Sequence, residues 1–304
     1  MYARTYLVIK ILKKSDLEMT LTLGKQQKYK NIVVVPVLKE SSSKLDILDL
    51  KTAFEMGLTE VSECEQSVVG NIMIKNDATT PLILVDGEEV AGAKQNRIIG
   101  QTMLIPPKVS MPIPVNCSEK GRWVYKSEFK PSNYMANSET RLNKTFANLG
   151  ISNKDTQSAV WDSIDDLQEE KNSFSDTSAL RDNYEKHEKI NTQYLEHFQI
   201  QENQVGIITV LGNKVGVDIF SNPSLYRKYN DMILKSYIID DIGKKAPLNI
   251  DFEDVLNNIN EKYFIKRNTV GLGQSYNIKS PNGFGSSLVY ENDLIHANFF
   301  YSKY

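Results

Sequence analysis

Short apolar runs, each closed by proline, glycine or a polar turn, limit what this chain can fold into. Across residues 1–125 they read YLVIKIL, NIVVVPVL, VVGNIMIKN, TPLILV, TMLI and VSMPIPVNC. Such lengths suit strands. None approaches the ~18 apolar residues of a membrane-crossing helix. NIVVVPVL is apolar throughout, as in a strand covered on both faces. Pro112 and Pro114 deny VSMPIPVNC a full ladder on both sides, which predicts an edge strand. DILDLKTAFEMG reads as a short helix stopped by Gly57. The expectation for residues 1–125 is a β-rich, sandwich-like part.

The second half reads differently. Residues 126–153 are polar and weakly periodic, which predicts a linker or surface loop. Residues 154–304 predict a mixed part with two hairpins and about four helices. In KDTQSAVWDSIDDLQEE, Val160, Trp161, Ile164 and Leu167 share one helical stripe. A second helix is expected from Ser178 to His197. QVGIITVLGNKVGVDIF predicts a hairpin turning at Gly212-Asn213. Asn222 and Asp251 are placed to cap the helices that follow, the second over DFEDVLNNINEKYFI. A last hairpin turns near Glu291-Asn292-Asp293. The fold class expected is α+β.

Composition narrows the function classes. Charged residues make up 24% of the 304 and the net charge is −2, so no global field draws nucleic acid or an anionic membrane. Two cysteines, Cys64 and Cys117, fit a reducing cytoplasm better than a disulfide framework. The N-terminal apolar run is broken by Lys10, Lys13 and Lys14, unlike a signal peptide. His187, His197 and His296 lack paired ligand spacing, so no Cys/His metal site is expected. A divalent ion on carboxylates would leave no such mark, and the cofactor stays open.

The densest polar stretch is DGEEVAGAKQNR, Asp86–Arg97, directly after TTPLILV. Asp-Gly after an apolar run predicts a type I′ hairpin, with EEVAGAKQNRII as the returning strand. Alternation then puts Glu88, Lys94 and Asn96 on one face and Glu89, Gln95 and Arg97 on the other. Gly92 allows close approach of a ligand or of another backbone. Lys94 or Arg97 at the rim would suit phosphate or carboxylate. The competing reading is a polar edge strand with solvated charges.

CSEKGRW, Cys117–Trp123, offers a second cluster. Trp123 would stack on a base and Arg122 would hold an anion. The alternative is a core tryptophan beside a surface arginine. Cys117 has no histidine near it in sequence and reads as a small buried thiol. In ALRDNYEKHE, Arg181 and Glu185 form an (i, i+4) pair, common on solvated helix faces. Asp218 and His296 stand at strand positions, where catalytic and structural roles are both open. No phosphate loop or dinucleotide fingerprint occurs.

TPLILVDGEEVAGAKQNRI, CSEKGRW, QSAVW, LRDNYE and QVGIITVLGNKVGVDIF occur in that order. Together they resemble the ARG and rhodanese-phosphatase-superfamily-associated protein domain, ARG standing for ADP-ribosylglycohydrolase. The resemblance spans roughly residues 45–300. Its pattern falls on Asp86, Gly87, Glu88, Glu89, Gly92, Lys94, Gln95, Asn96 and Arg97. It continues over Glu119, Gly121, Arg122, Trp123, Gln157, Trp161, Arg181, Asp182 and Tyr184. It implies a prokaryotic protein and an ADP-ribose or NAD-derived nucleotide as the ligand, and it brings no established mechanism.

Three readings follow. The first is a hydrolase- or lyase-type enzyme acting on such a nucleotide. Glu88, Glu89 or Glu119 would be the general acid or base, and Lys94, Gln95, Asn96, Arg97, Arg122, Trp123 and Arg181 would bind the ligand. The second is a non-catalytic sensor or sequestering module for the same ligand. The third is an interaction protein, a homo-oligomer for instance, whose polar motif orders an interface. Two adjacent glutamates beside cations favour chemistry over simple anion binding.

Overall fold

A computed structural model describes residues 6–10, 18–40, 43–64, 70–212, 214–241 and 250–301. The strands, in chain order, begin with β1 (Tyr6–Lys10), β2 (Glu18–Leu23), β3 (Gln27–Tyr29), β4 (Ile32–Lys39), β5 (Leu48–Asp49) and β6 (Thr59–Glu63). Next come β7 (Asn71–Asn76), β8 (Leu82–Leu84), β9 (Glu88–Ala91), β10 (Arg97–Ile99), β11 (Met103–Ile105), β12 (Val109–Cys117) and β13 (Lys130–Met135). The last are β14 (Gln204–Leu211), β15 (Lys214–Phe220), β16 (Phe264–Lys266), β17 (Gln274–Ser280), β18 (Gly283–Tyr290) and β19 (Asp293–Tyr301). The helices are α1 (Leu50–Glu55), α2 (Ser138–Asn148), α3 (Thr156–Lys171), α4 (Leu180–Lys186), α5 (Glu188–Leu195), α6 (Pro223–Asp241) and α7 (Phe252–Asn257). The fold is α+β.

The chain forms two compact units, each discontinuous in sequence. One holds Met1–Lys44, Ile190–Asn268 and Gly273–Tyr304; the other holds Leu45–Lys189 and Thr269–Leu272. The expected linear division at residues 125 and 153 is therefore replaced by breaks near 45 and 190. The cause is pairing at long range: β4 joins β14 across most of the chain, tying the N-terminal strands to the late hairpins.

The first unit is built on one antiparallel sheet, ordered β1-β2-β4-β14-β15-β19-β18-β17-β16, with β3 also on β4. β4 has neighbours on both sides and is buried along nearly its whole length, as its apolar run requires. Helix α6 lies on β14 and β15. A Cβ on Gly216 would stand 2.1 Å from the Tyr237 ring, so glycine lets the helix close on the strand. Asn222 caps α6 by accepting from Leu225 N at 2.8 Å. Asp251 caps α7, which ends at Asn257, well short of the helix expected there. Glu291 and Asn292 have φ of 46° and 63°, the type I′ signature, at the expected final turn. Of the Gly212-Asn213 turn, Asn213 lies outside the described residues, and Leu211 pairs with Lys214 around it.

Asp218 and His296 come together under α6. His296 Nε2 is 3.4 Å from Asp218 Oδ1, and Tyr237 Oη donates to Asp218 Oδ2 at 2.6 Å. All three are fully buried, which fits a framework role.

The second unit carries the conspicuous motifs. Its main sheet runs β13-β9-β10-β12-β7-β6, and a smaller sheet runs β11-β8-β5. Val90, Ile99, Ile113 and Val115 of the first meet Leu82, Leu84, Met103 and Ile105 of the second in one core. Strand β12 is not at an edge. Its proline-bearing half pairs with β7, and only Val115–Cys117 pair with β10. Pro112 thus sits where β12 has a single neighbour, and Pro114, whose carbonyl accepts from Gly100 N at 3.0 Å, sits where the second neighbour joins.

Residues 126–153 are not a linker. They form β13, which pairs with β9, and α2, which packs on α3. Phe129 and Met135 are buried there, and so are the cations Arg141 and Lys144. The helix expected over Ser178–His197 is two helices, broken where His187 leaves helical geometry at φ −108°, ψ 17°.

Candidate functional site

The Asp86-Gly87 turn does not make the expected hairpin. Only Gly87 has positive φ, 84°, and Glu88 N donates to Val85 O at 3.0 Å. This is a type II arrangement, which needs positive φ at one residue only. It passes the chain from β8 in the small sheet to β9 in the large one. Three acceptors hold Lys144 beneath it: the Asp86 carboxylate, Ile99 O at 3.2 Å and Gly100 O at 3.2 Å. Glu88 turns back to accept from Val85 N at 3.0 Å. Asp86, Glu88 and Lys144 are all buried. These groups set the turn.

The returning strand is interrupted as well. β9 and β10 are antiparallel partners, Val90 facing Arg97 and Glu89 facing Ile98. Gly92–Asn96 is therefore the loop of a hairpin, and strict alternation of faces ends at Ala91. Gly92 takes φ 133° and Ala93 φ 42°. A Cβ on Gly92 would stand 2.3 Å from Glu128 O. The space expected beside this glycine is filled by the 127–129 backbone.

Arg122 fastens that loop. Its Nη1 donates to Ala93 O at 2.7 Å and Val124 O at 3.0 Å. Its Nη2 donates to Gly92 O at 3.2 Å, Asn96 Oδ1 at 3.2 Å and Glu119 Oε2 at 2.6 Å. Glu119 Oε2 also accepts from Asn96 N at 3.2 Å. Burial pushes the Glu119 carboxyl up, but its bonds from Arg122 and Asn96 N–H outweigh that and leave it below the usual range. Gln95 donates to Glu119 O at 2.7 Å and accepts from Arg97 Nη1 at 2.9 Å. Arg97 also donates to Cys117 Sγ. The buried Cys117 thiol is pushed up, mainly by burial, and is held away from thiolate character. Gln157, on α3, clasps the Cys117 backbone, accepting from its N–H at 2.7 Å and donating to its carbonyl at 3.0 Å.

Gln95, Asn96, Arg97, Glu119 and Arg122 thus bond chiefly to one another and to nearby backbone, with the Nε of Arg97 and of Arg122 left without a partner. Lys94 and Trp123 do not join them and are exposed.

Glu89 has a different setting. It is fully buried, and its Oε1 accepts from Ser118 Oγ at 3.2 Å. A Ser132 hydroxyl bonds the same carboxyl. Arg181 Nε lies 3.6 Å from Glu89 Oε2, too far for a hydrogen bond, and 3.6 Å from Glu185 Oε1. Arg181 Nη2 reaches Ser132 Oγ at 3.4 Å, and the guanidinium lies 5.7 Å from the centre of the Tyr134 ring. Burial pushes Glu89 up from the usual carboxylate range, only partly offset by Arg181 and the two serines, and the Glu119 charge adds to the rise. Two neighbouring carboxyls are thereby driven apart, Glu119 held ionised and Glu89 towards its neutral form. That separation marks acid–base sites in many enzymes.

Ser118 ties the two halves together. Its hydroxyl serves Glu89, its N–H donates to Asn96 O, and its carbonyl accepts from Leu180 N at 2.8 Å, the residue before Arg181. Glu119 and Ala179 form an isolated β-bridge beside it. Ser118, Ser132, Tyr134 and Lys144 were not singled out in the sequence. KPSNYM has no alternation of apolar and polar residues to mark the second and third, and nothing marks Lys144 as buried.

Residues 20–300 match the model of the ARG and Rhodanese-Phosphatase-superfamily-associated Protein domain. The chain belongs to this family. The match covers both units and includes every residue of the Glu89–Arg181 and Arg122 clusters. No curated protein and no solved structure matches the chain. Among the described residues, no helix is long and apolar enough to cross a membrane.

Proposed function

We propose that this member of the ARG and rhodanese-phosphatase-associated family processes an ADP-ribose or NAD-derived nucleotide by hydrolysis or elimination. Glu89 is the proton donor and acceptor, and Arg181 meets the phosphate. One observation carries the reading: a fully buried carboxyl sits 3.6 Å from a guanidinium whose side chain is 27% exposed. Arg181 is shared between two acids with a hydrogen bond to neither, and a single long bond to Ser132 Oγ at 3.4 Å is what it gives up on turning towards an incoming anion. Glu89 then loses its nearest cation and favours the protonated form, which is the form a general acid needs. The surrounding Arg122–Glu119 lattice keeps the backbone on either side in place.

The complete burial of Glu89 favours a second reading, a non-catalytic sensor in which Arg181 binds the same nucleotide without turnover. Calorimetry with ADP-ribose tests the shared element. Arg181→Ala is expected to weaken binding about tenfold to a hundredfold, as loss of a contact worth ~1.5–3 kcal/mol implies. Equal affinity in the two proteins removes Arg181 from the site. Mass spectrometry of the same mixtures separates conversion from binding alone.

A further inference from the structure

Trp123, Val124 and Tyr125 are the one consecutive run of large exposed apolar residues among the described residues, 53%, 74% and 59% accessible. Scattered exposed apolar residues need no explanation, but a contiguous run in water does. This one is also held in place. Arg122 bonds the carbonyls of Ala93 and Val124 on its two sides. Lys126 N donates to Ala93 O at 3.0 Å, and Ala93 N donates to Ser127 O at 2.7 Å. The buried ion pair with Glu119 anchors the clamp itself. Arg122, with five hydrogen bonds, thus holds the backbone of a loop on which a tryptophan and a tyrosine are exposed.

Charge completes the picture. Lys94, next to the bonded Ala93, is exposed and makes no ion pair or hydrogen bond. Lys126 is exposed on the same loop, and Glu128 is the acid near it. Exposed aromatic side chains on a loop whose backbone is bonded to the residue before an exposed lysine fit a flat heteroaromatic ring that carries a phosphate. The net charge of −2 and the small number of cations suit one nucleotide rather than a length of nucleic acid.

We propose that Trp123 and Tyr125, with Lys94, form a stacking platform for the base of a nucleotide, Lys94 meeting the phosphate nearest the base and leaving the second phosphate of an ADP-ribose-type ligand to Arg181. The proposal rests on the nucleotide reading above and names where the base binds.

The chain has two tryptophans, so Trp161→Phe leaves Trp123 as the single indole reporter. In that background AMP and ADP-ribose are expected to quench fluorescence saturably, and ribose 5-phosphate, which lacks a base, is not. By calorimetry, Trp123→Ala is expected to weaken AMP about fivefold to a hundredfold, the range for losing one stacked base. Lys94→Ala should weaken AMP and leave adenosine unchanged. Both side chains are exposed, and circular dichroism checks that the variants fold. AMP affinity unchanged in Trp123→Ala and in Tyr125→Ala overturns the platform, even where Arg181→Ala abolishes binding. Binding that needs Trp123 but not Arg181 upholds the platform and removes the Arg181 assignment. A short single-stranded oligonucleotide that binds orders of magnitude more tightly than AMP overturns the single-nucleotide occupant. No binding of any nucleotide overturns both.

Discussion

Replacing Arg122 with alanine removes five contacts at once and leaves Glu119 as a buried carboxylate. The pair is shielded from water, with 13% of the arginine side chain and 7% of the glutamate side chain accessible, so salt screening is a small discount. Breaking a buried pair by deleting one partner costs about 3–5 kcal/mol. Glu119 keeps its bond from Asn96 N at 3.2 Å, and Val124 O lies where water reaches it. The expected loss is therefore at the low end, about 3 kcal/mol. Both tryptophans lie within Leu45–Lys189, so their fluorescence follows unfolding of that unit. With a urea slope of 1–3 kcal/mol/M, the midpoint should fall by roughly 1–3 M. Arg122→Lys replaces a planar fork by a single ammonium and should recover less than half of the loss. A midpoint within ~0.3 M of wild type for Arg122→Ala refutes the clamp.

Gly92→Ala forces a Cβ to within 2.3 Å of Glu128 O at φ 133°, and it should cost roughly 2–5 kcal/mol, read as a lowered urea midpoint in the same unit. An unshifted midpoint would show that the 127–129 backbone does not press on this glycine. Glu89 has a raised value in the folded state, so its contribution to stability is present in acid and lost as pH rises through that value. Glu89→Gln, which mimics the neutral form, should accordingly stabilise the fold at pH 7, with the gain vanishing below the ordinary carboxylate range near pH 4. Urea midpoints across pH check this, and a Gln variant less stable than wild type at pH 7 contradicts the assigned protonation.

Strands β4, β14, β15, β18 and β19 of the first unit were legible because their apolar runs match burial on both faces, as at Ile32–Val37, whereas β2, β3, β16 and β17 carry no such run and were missed. The type I′ turn at Glu291-Asn292 and the caps at Asn222 and Asp251 follow local rules that hold without tertiary help. What escaped was set by distant partners. The Asp86-Gly87 signal is the same dipeptide in a hairpin or in a turn between sheets, and only the β10 and α2 contacts decide which forms. Residues 126–153 read as a loop because α2 buries Arg141 and Lys144, cations that a sequence assigns to solvent. The order of the chain also hides that β4 meets β14. In the candidate site, Asp86–Arg97 and Cys117–Trp123 were legible as one polar region. Their internal division was not, because Arg97 and Arg122 bond protein carbonyls and side chains, while Lys94 and Lys120 are exposed, Lys120 in an ion pair with Asp165.

In the proposed reaction Glu89 carries the proton to or from an ADP-ribose-type nucleotide, within a scaffold that the neighbouring motif residues build. Turnover and affinity of Glu89→Gln, measured side by side on ADP-ribose by mass spectrometry and calorimetry, decide whether it does. The swap keeps shape and removes the titrating group. A fall in turnover by about 10²–10⁴-fold, with affinity within a few-fold of wild type, is the predicted result. Unchanged turnover in Glu89→Gln would show that Glu89 does not carry the proton.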